Sequence, residues 1–157
     1  MALTTAVITG KIQWSQIKNN TGFAPTKQGP DNIANSITPP VNTINEVYAE
    51  NRTLAAAASY TYDLQALTNF FGDGIVFTKI RAMHLAVQGG QITVAPGVSD
   101  PLDWFLNAAG EITLPDGSFI TIGGGSNGTV GPTGKTLKIT NTGATSATYQ
   151  ITLIGGI

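Results

Sequence analysis

From Glu46 onward, apolar and polar residues alternate in short runs with period two, the spacing of a half-buried β-strand. In Ser59–Leu64, Tyr60, Tyr62 and Leu64 fall on one face, opposite Ser59, Thr61 and Asp63. Near the end, Leu137 and Ile139, then Tyr149, Ile151 and Leu153, do the same within Lys135–Asn141 and Ala147–Ile154. Ile75–Val87 is apolar on both faces, as a central strand would be. Turn residues separate the runs: Gly72-Asp73-Gly74, Gly89-Gly90 and Pro115-Asp116-Gly117. The pattern predicts three strand pairs joined by short loops: Glu46–Thr53 with Ser59–Leu64, the Ile75–Val87 strand with Gln91–Ala95, and Glu111–Leu114 with Ser118–Ile122. Asp100–Ala109, with Leu102, Trp104, Phe105 and Leu106, reads as a short buried loop. Eight or nine short strands with frequent turns predict an all-β fold, a β-sandwich of the jelly-roll kind.

The first third of the chain reads differently. Thr4–Trp14 alternates in part, but Ser15–Asn45 shows little periodicity. That is too long for an ordinary loop in a compact domain. Phe23, Ile33, Ile37, Val41 and Ile44 are apolar anchors that a pure linker does not need. The expectation is an extended N-terminal arm over residues 1–45 and a β-sandwich domain over 46–157. The arm would be ordered by lying on a neighbouring subunit, with Phe23, Ile33, Ile37 and Val41 binding the partner.

Composition narrows the chemistry. Of 157 residues, 11% are charged, about half the usual share, while 22 are Thr and 11 are Asn. A net charge of −1 and the lack of any Lys/Arg cluster argue against nucleic-acid binding. Weak charge also lowers repulsion between copies, which favours a homo-oligomer. With no Cys, no disulfide framework is available. No apolar run reaches the ~20 residues of a membrane span, and no secretory signal is expected. The sequence predicts a protein made in a cytoplasm, with no membrane partner.

Motifs add little. Gly123–Gly128 fits the spacing of a dinucleotide loop, but Pro132 and its neighbouring glycines oppose the helix that such a site requires. Gly128–Thr136 resembles a phosphate-binding loop with one residue too many between its glycines, and Lys135-Thr136 opens a strand rather than a helix. His84, the one imidazole, reads as a sheet-face or core residue, and nothing sets a nucleophile beside it. Asp73, Asp100, Asp103, Glu111 and Asp116 could offer oxygen ligands to Ca²⁺, though isolated Asp in turns usually caps backbone amides. Tyr60, Tyr62, Trp104 and Phe105 could form a sugar-stacking platform, but so few aromatics are needed for the core. No catalytic residue, cofactor or metal is predicted.

One set of short words runs through the chain: Val47-Tyr48, Arg52-Thr53-Leu54-Ala55-Ala56, Tyr62-Asp63-Leu64, Leu67-Thr68 and Gly72-Asp73-Gly74, then Phe77–Ala82, Leu137–Asn141, Tyr149-Gln150-Ile151 and Ile154-Gly155. In these words the chain resembles a group of small virion structural proteins of tailed bacteriophages. The resemblance covers most of Glu46–Ile157, is looser over Thr4–Trp14, and does not extend to Ser15–Asn45. The resemblance implies a non-enzymatic β-sandwich in the virion: a capsid decoration (cement) protein that binds and stabilises the assembled shell. Its partners would be the major capsid protein and copies of itself, in a trimer. The rival expectations are a host-recognition module at a tail tip or head fibre, and a subunit of the shell or tail tube.

Overall fold

The computed structural model describes residues 8–18, 26–37, 44–107 and 109–156. The chain forms two compact units, Val7–Thr38 and the remainder, Met1–Ala6 with Pro39–Ile157. The smaller unit is a two-stranded ribbon, β1 (Ile8–Lys18) antiparallel to β2 (Thr26–Ile37), with Ile12 opposite Ile33 and Ile8 opposite Ile37. Where an extended arm without pattern was expected, the structure places a second strand. Its register shifts between Trp14 and Gln16, opposite Gly29 and Pro30, so the proline sits where the ladder is interrupted and no backbone donor is needed.

The larger unit holds ten strands: β3 (Glu46–Leu54), β4 (Ser59–Asp63), β5 (Leu67–Thr68), β6 (Gly74–Ile75), β7 (Lys79–Gln88), β8 (Ile92–Pro96), β9 (Ile112–Leu114), β10 (Phe119–Thr129), β11 (Thr136–Asn141) and β12 (Ala147–Gly156). β5 and β6 pair only with each other, as a small hairpin. The other eight make two antiparallel sheets in the orders β10-β7-β12-β3 and β4-β11-β8-β9. Numbered from first to eighth in chain order, these are sixth-third-eighth-first and second-seventh-fourth-fifth, the strand order of a jelly roll. The fold is an all-β sandwich of that topology.

This order corrects the predicted strand pairs. β3 pairs with β12 and β4 with β11, so the two strands flanking Leu54–Ala58 lie in opposite sheets. β7 and β8 are likewise in different sheets, as are β9 and β10. The short turns are real, but they carry the chain across the sandwich instead of folding it back on itself. At Pro115-Asp116-Gly117, Gly117 has a φ of +73°, which suits a residue without Cβ, and Ser118 N donates to Pro115 O at 3.1 Å.

The core fills the space between the sheets with the alternation read from sequence. Tyr62, Leu64, Ile75, Phe77, Met83, Leu85, Leu137, Ile139, Tyr149, Ile151 and Leu153 are all buried. Along β7 the alternation breaks once. Arg81 is an extra residue between Ala82 and Ile80, which pair with the consecutive Ile154 and Gly155 of β12. This bulge returns Ile80 to the interior. On the other side of β7, residues 124–127 of β10 intervene between the paired Gly123 and Gly128. The β12 backbone passes close here: a Cβ on Gly155 would lie 2.1 Å from the Lys79 carbonyl oxygen.

At one end, Asn141 ties the loops together. It is buried, and its Nδ2 donates to the carbonyls of Leu54, Ala55 and Thr145 at 2.8–3.0 Å, while Oδ1 accepts from Gly143 N at 2.9 Å. These bonds hold the β3–β4 and β11–β12 turns against the end of β11.

Candidate functional site

The densest group of ionisable side chains lies where edge strands β3 and β4 face each other across the sandwich. Alternation turns Tyr48, Glu50 and Arg52 of β3 inward, Tyr60 and Tyr62 come from β4, and Tyr149 from β12. All four tyrosines of the chain meet here. Glu50 is the hub: its Oε2 accepts from Tyr62 at 2.7 Å and Tyr48 at 2.8 Å, and its Oε1 takes Arg52 NH2 at 2.5 Å. Tyr62 and Tyr149 share a hydrogen bond of 2.8 Å, and the Arg52 guanidinium sits 3.5 Å over the Tyr60 ring.

Burial would push the Glu50 carboxyl up, but hydrogen bonds from Tyr62, Arg52 and Tyr48 outweigh it and hold the group below the usual carboxylate range. Burial, and then the neighbouring carboxylate, pushes the Tyr48 phenol well up. Burial and the bond to Tyr149 do the same to Tyr62. Burial brings Tyr149 to about 12. Burial alone would lower Arg52, but Glu50 holds it firmly protonated. Each group is fixed in its ordinary charge state near neutrality, the reverse of tuning for proton transfer. The cluster is a polar clasp between two sheet edges.

The remaining candidates scatter. His84 lies on the outer face of β7, with Nδ1 2.8 Å from Thr121 Oγ1 and the Phe119 ring 5.9 Å away. Gly123–Gly128 lies within β10, while Gly128–Thr136 runs from the end of β10 through the connecting loop to the first residue of β11, so neither motif opens a helix. Asp116 caps a turn through Gly89 N at 2.6 Å. The Asp100 carbonyl accepts from Lys135 N and Thr136 N. Among the described residues, no three His, Asp or Glu converge as a metal site would require. The four aromatics proposed as one platform form two separate pairs, Tyr60–Tyr62 at 4.8 Å in the clasp and Trp104–Phe105 at 5.3 Å on the β8–β9 loop. Of the expected partner-binding residues, Ile33 and Ile37 are on β2 of the ribbon, while Phe23 and Val41 fall outside the described residues.

What stands out is a face. The outward positions of the first sheet form cross-strand rows: Phe119, Ala86, Gln150, Asn51; then Thr121, His84, Thr152, Ala49; then Gly123, Ala82, Ile154, Val47. No Asp, Glu, Lys or Arg stands in these rows. Phe119 is 68% exposed. Two open hollows lie along the face, about 270 Å³ between Asn51, Ala86, Gln88 and Gln150 and about 320 Å³ between Ala49, Asn51, Gln150 and Thr152, at the low end of the ~300–1,000 Å³ of small-molecule sites. Registered alternation thus builds a sheet face of amides, hydroxyls, small and apolar side chains, with Ala82 buried in its last row and Arg81 of the β7 bulge beside it. Sequence reasoning missed it because the rows exist only once strand order and register are known.

No family model and no curated protein matches the chain. Among solved structures, the chain is similar to the Cnp3 cupin domain of Schizosaccharomyces pombe, with 12% identity and a TM-score of 0.38, over 92% of this chain and 83% of that one.

Proposed function

We propose that the chain is a virion structural protein of a tailed bacteriophage: a decoration protein that binds the assembled shell and stabilises it without catalysis. The observation that carries this reading is the outer face of the β10-β7-β12-β3 sheet, whose cross-strand rows hold no charge, set on a jelly roll whose densest ionisable group is locked in a clasp. The jelly roll is a common architecture of viral capsid domains, and the resemblance of the chain's short motifs to those of phage virion proteins points the same way. A protein that binds only the assembled shell raises the shell's stability by mass action.

The face is matched to a second copy of the chain. Its polar groups are amides, hydroxyls and one imidazole, most of which both donate and accept, so two copies can pair them without burying an unpaired charge. Four strands ~4.8 Å apart and ten residues long at ~3.4 Å each give on the order of 600 Å² in projection, near the ~800 Å² per partner of a standard interface. The N-terminal ribbon, carrying Ile33 and Ile37, then reaches the major capsid protein. Purified chain is mixed with shells assembled without it, and occupancy is read by sedimentation. Wild type saturates the shells, and a chain lacking residues 7–38 binds at least tenfold more weakly. Shells that stay bare with wild type would remove the reading.

A further inference from the structure

The two ends of the sandwich differ in kind. At one end the connections are Ala55–Ala58, Gly89–Gln91, Pro115–Ser118 and Thr142–Ser146, short and small or polar. At the other end lie the β4–β7 connection, with its β5–β6 hairpin, and the β8–β9 and β10–β11 loops. Backbone bonds knit this second end into one surface: Lys135 N donates to Asp100 O at 2.8 Å, Leu64 N to Lys135 O at 2.9 Å, and Phe77 N to Leu64 O at 3.0 Å. Of the large apolar side chains most exposed among the described residues, Phe70, Phe71, Val76 and Val98 are all on these loops, and Phe119 alone is elsewhere.

Phe70 is 93% exposed and Phe71 62%, and the turn that presents them is held by its own hydrogen bonds. Asn69 Oδ1 accepts from both Phe71 N and Asp73 N at 2.9 Å. Asn69 N donates to Asp73 O at 2.8 Å, and Gly72, at a φ of +88°, donates to Asn69 O at 3.0 Å. The two rings meet edge to face at 5.7 Å and so form one wedge. A fixed turn that holds two aromatic rings in water has already met the ordering cost of binding them.

Charge selects the partner. Gln65–Thr78 and Gly97–Gly110 contain Asp73, Asp100 and Asp103 and no Lys or Arg. The Lys135 ammonium on the neighbouring loop is paired with Asp63 at 3.1 Å, and Lys79 opens β7 beyond the hairpin. Two copies meeting end to end would set the aspartates against one another, and an anionic bilayer would repel them. We propose that this end is a docking site for a different protein surface: an apolar pocket rimmed by Lys or Arg, which the Phe70–Phe71 wedge enters. Resting on the decoration reading above, this assigns a shell contact to the sandwich itself.

The test compares wild type, Phe70→Ser/Phe71→Ser and Asp73→Lys for binding to empty tailed-phage shells assembled without the chain. Thermal midpoints confirm that each variant folds, and Phe70→Ser alone serves if the double variant does not. The wedge variants bind at least tenfold more weakly, as loss of a paired aromatic anchor predicts. Asp73→Lys binds severalfold more weakly and with a shallower salt dependence. Shell binding by wild type that both variants retain overturns this docking site and leaves the decoration reading standing. Failure of wild type itself to bind overturns both. Wedge-dependent sedimentation of wild type with phosphatidylcholine vesicles makes the partner a lipid surface and overturns the proposal as well.

Discussion

Glu50 accepts three hydrogen bonds from groups on two sheets, so its loss loosens both edges of the sandwich at once. Glu50→Gln keeps the shape but removes the charge that Arg52 and two phenols are arranged around. The clasp is partly open to water, with side-chain exposures of 30% for Arg52 and 23% for Glu50, so the expected loss is about 1–2 kcal/mol rather than the larger cost of a fully buried pair. A urea midpoint checks it. The same site sets the pH limits. Glu50 titrates lower in the folded chain than in the unfolded one, so its contribution is present above the ordinary carboxylate pKa and is lost as pH falls through the depressed value. The phenols act in the opposite sense. Tyr48, Tyr62 and Tyr149 are raised from 10.0, so their contribution is whole below pH 10.0 and drains away above it, as the unfolded chain ionises first. In an alkaline titration, tyrosinate absorbance of these three should therefore appear together with loss of β-sheet circular dichroism, not before it. The alternation of Tyr60, Tyr62 and Leu64 was legible as a strand face. That Tyr48 and Tyr149 would join them was not, because the meeting depends on β12 lying beside β3.

At the level of elements, period-two patterning found nearly every strand of the sandwich and misjudged whom each one pairs with. The reason is physical. A hairpin and a crossing between two sheets both need a short turn between two alternating strands, and each hides one face of each strand. Only the three-dimensional order separates them, and here the short turns after β3, β7, β9 and β11 all cross. β2 was missed for another reason: in Lys27-Gln28-Gly29-Pro30-Asp31-Asn32, few apolar residues mark a face, so its strand character rests on pairing with β1. Gly155 shows the tightness of the central pairing. Gly155→Ala would push a methyl group to 2.1 Å from the Lys79 carbonyl and 2.8 Å from the Phe77 ring, both parts of the packed core edge. The expected destabilisation is about 3 kcal/mol, at the upper end of overpacking costs, seen as a lowered denaturant midpoint with an unchanged slope.

Over the whole molecule, chemistry is distributed by surface. The interior holds the ionisable clasp, one sheet face is bare of charge, and one end gathers the exposed aromatic rings. Thr152→Lys sets an ammonium at the middle of the uncharged face. On the proposal that copies pair through this face, it should shift the chain to the monomer in analytical ultracentrifugation while changing the stability of the single chain by no more than about 0.5 kcal/mol, the usual range for a surface change. Low overall charge was visible in composition, and from it came the expectation of self-association, but the face proposed for it had to await register. One further feature bears on engineering. β10 is the outermost strand of its sheet and carries residues 124–127 opposite the lone Arg81, so it already accommodates surplus length without shifting Ile122 or Thr129 out of step with β7. A foreign epitope spliced between Gly125 and Ser126 would extend a detour that the scaffold tolerates, making this the natural graft point for displaying a peptide.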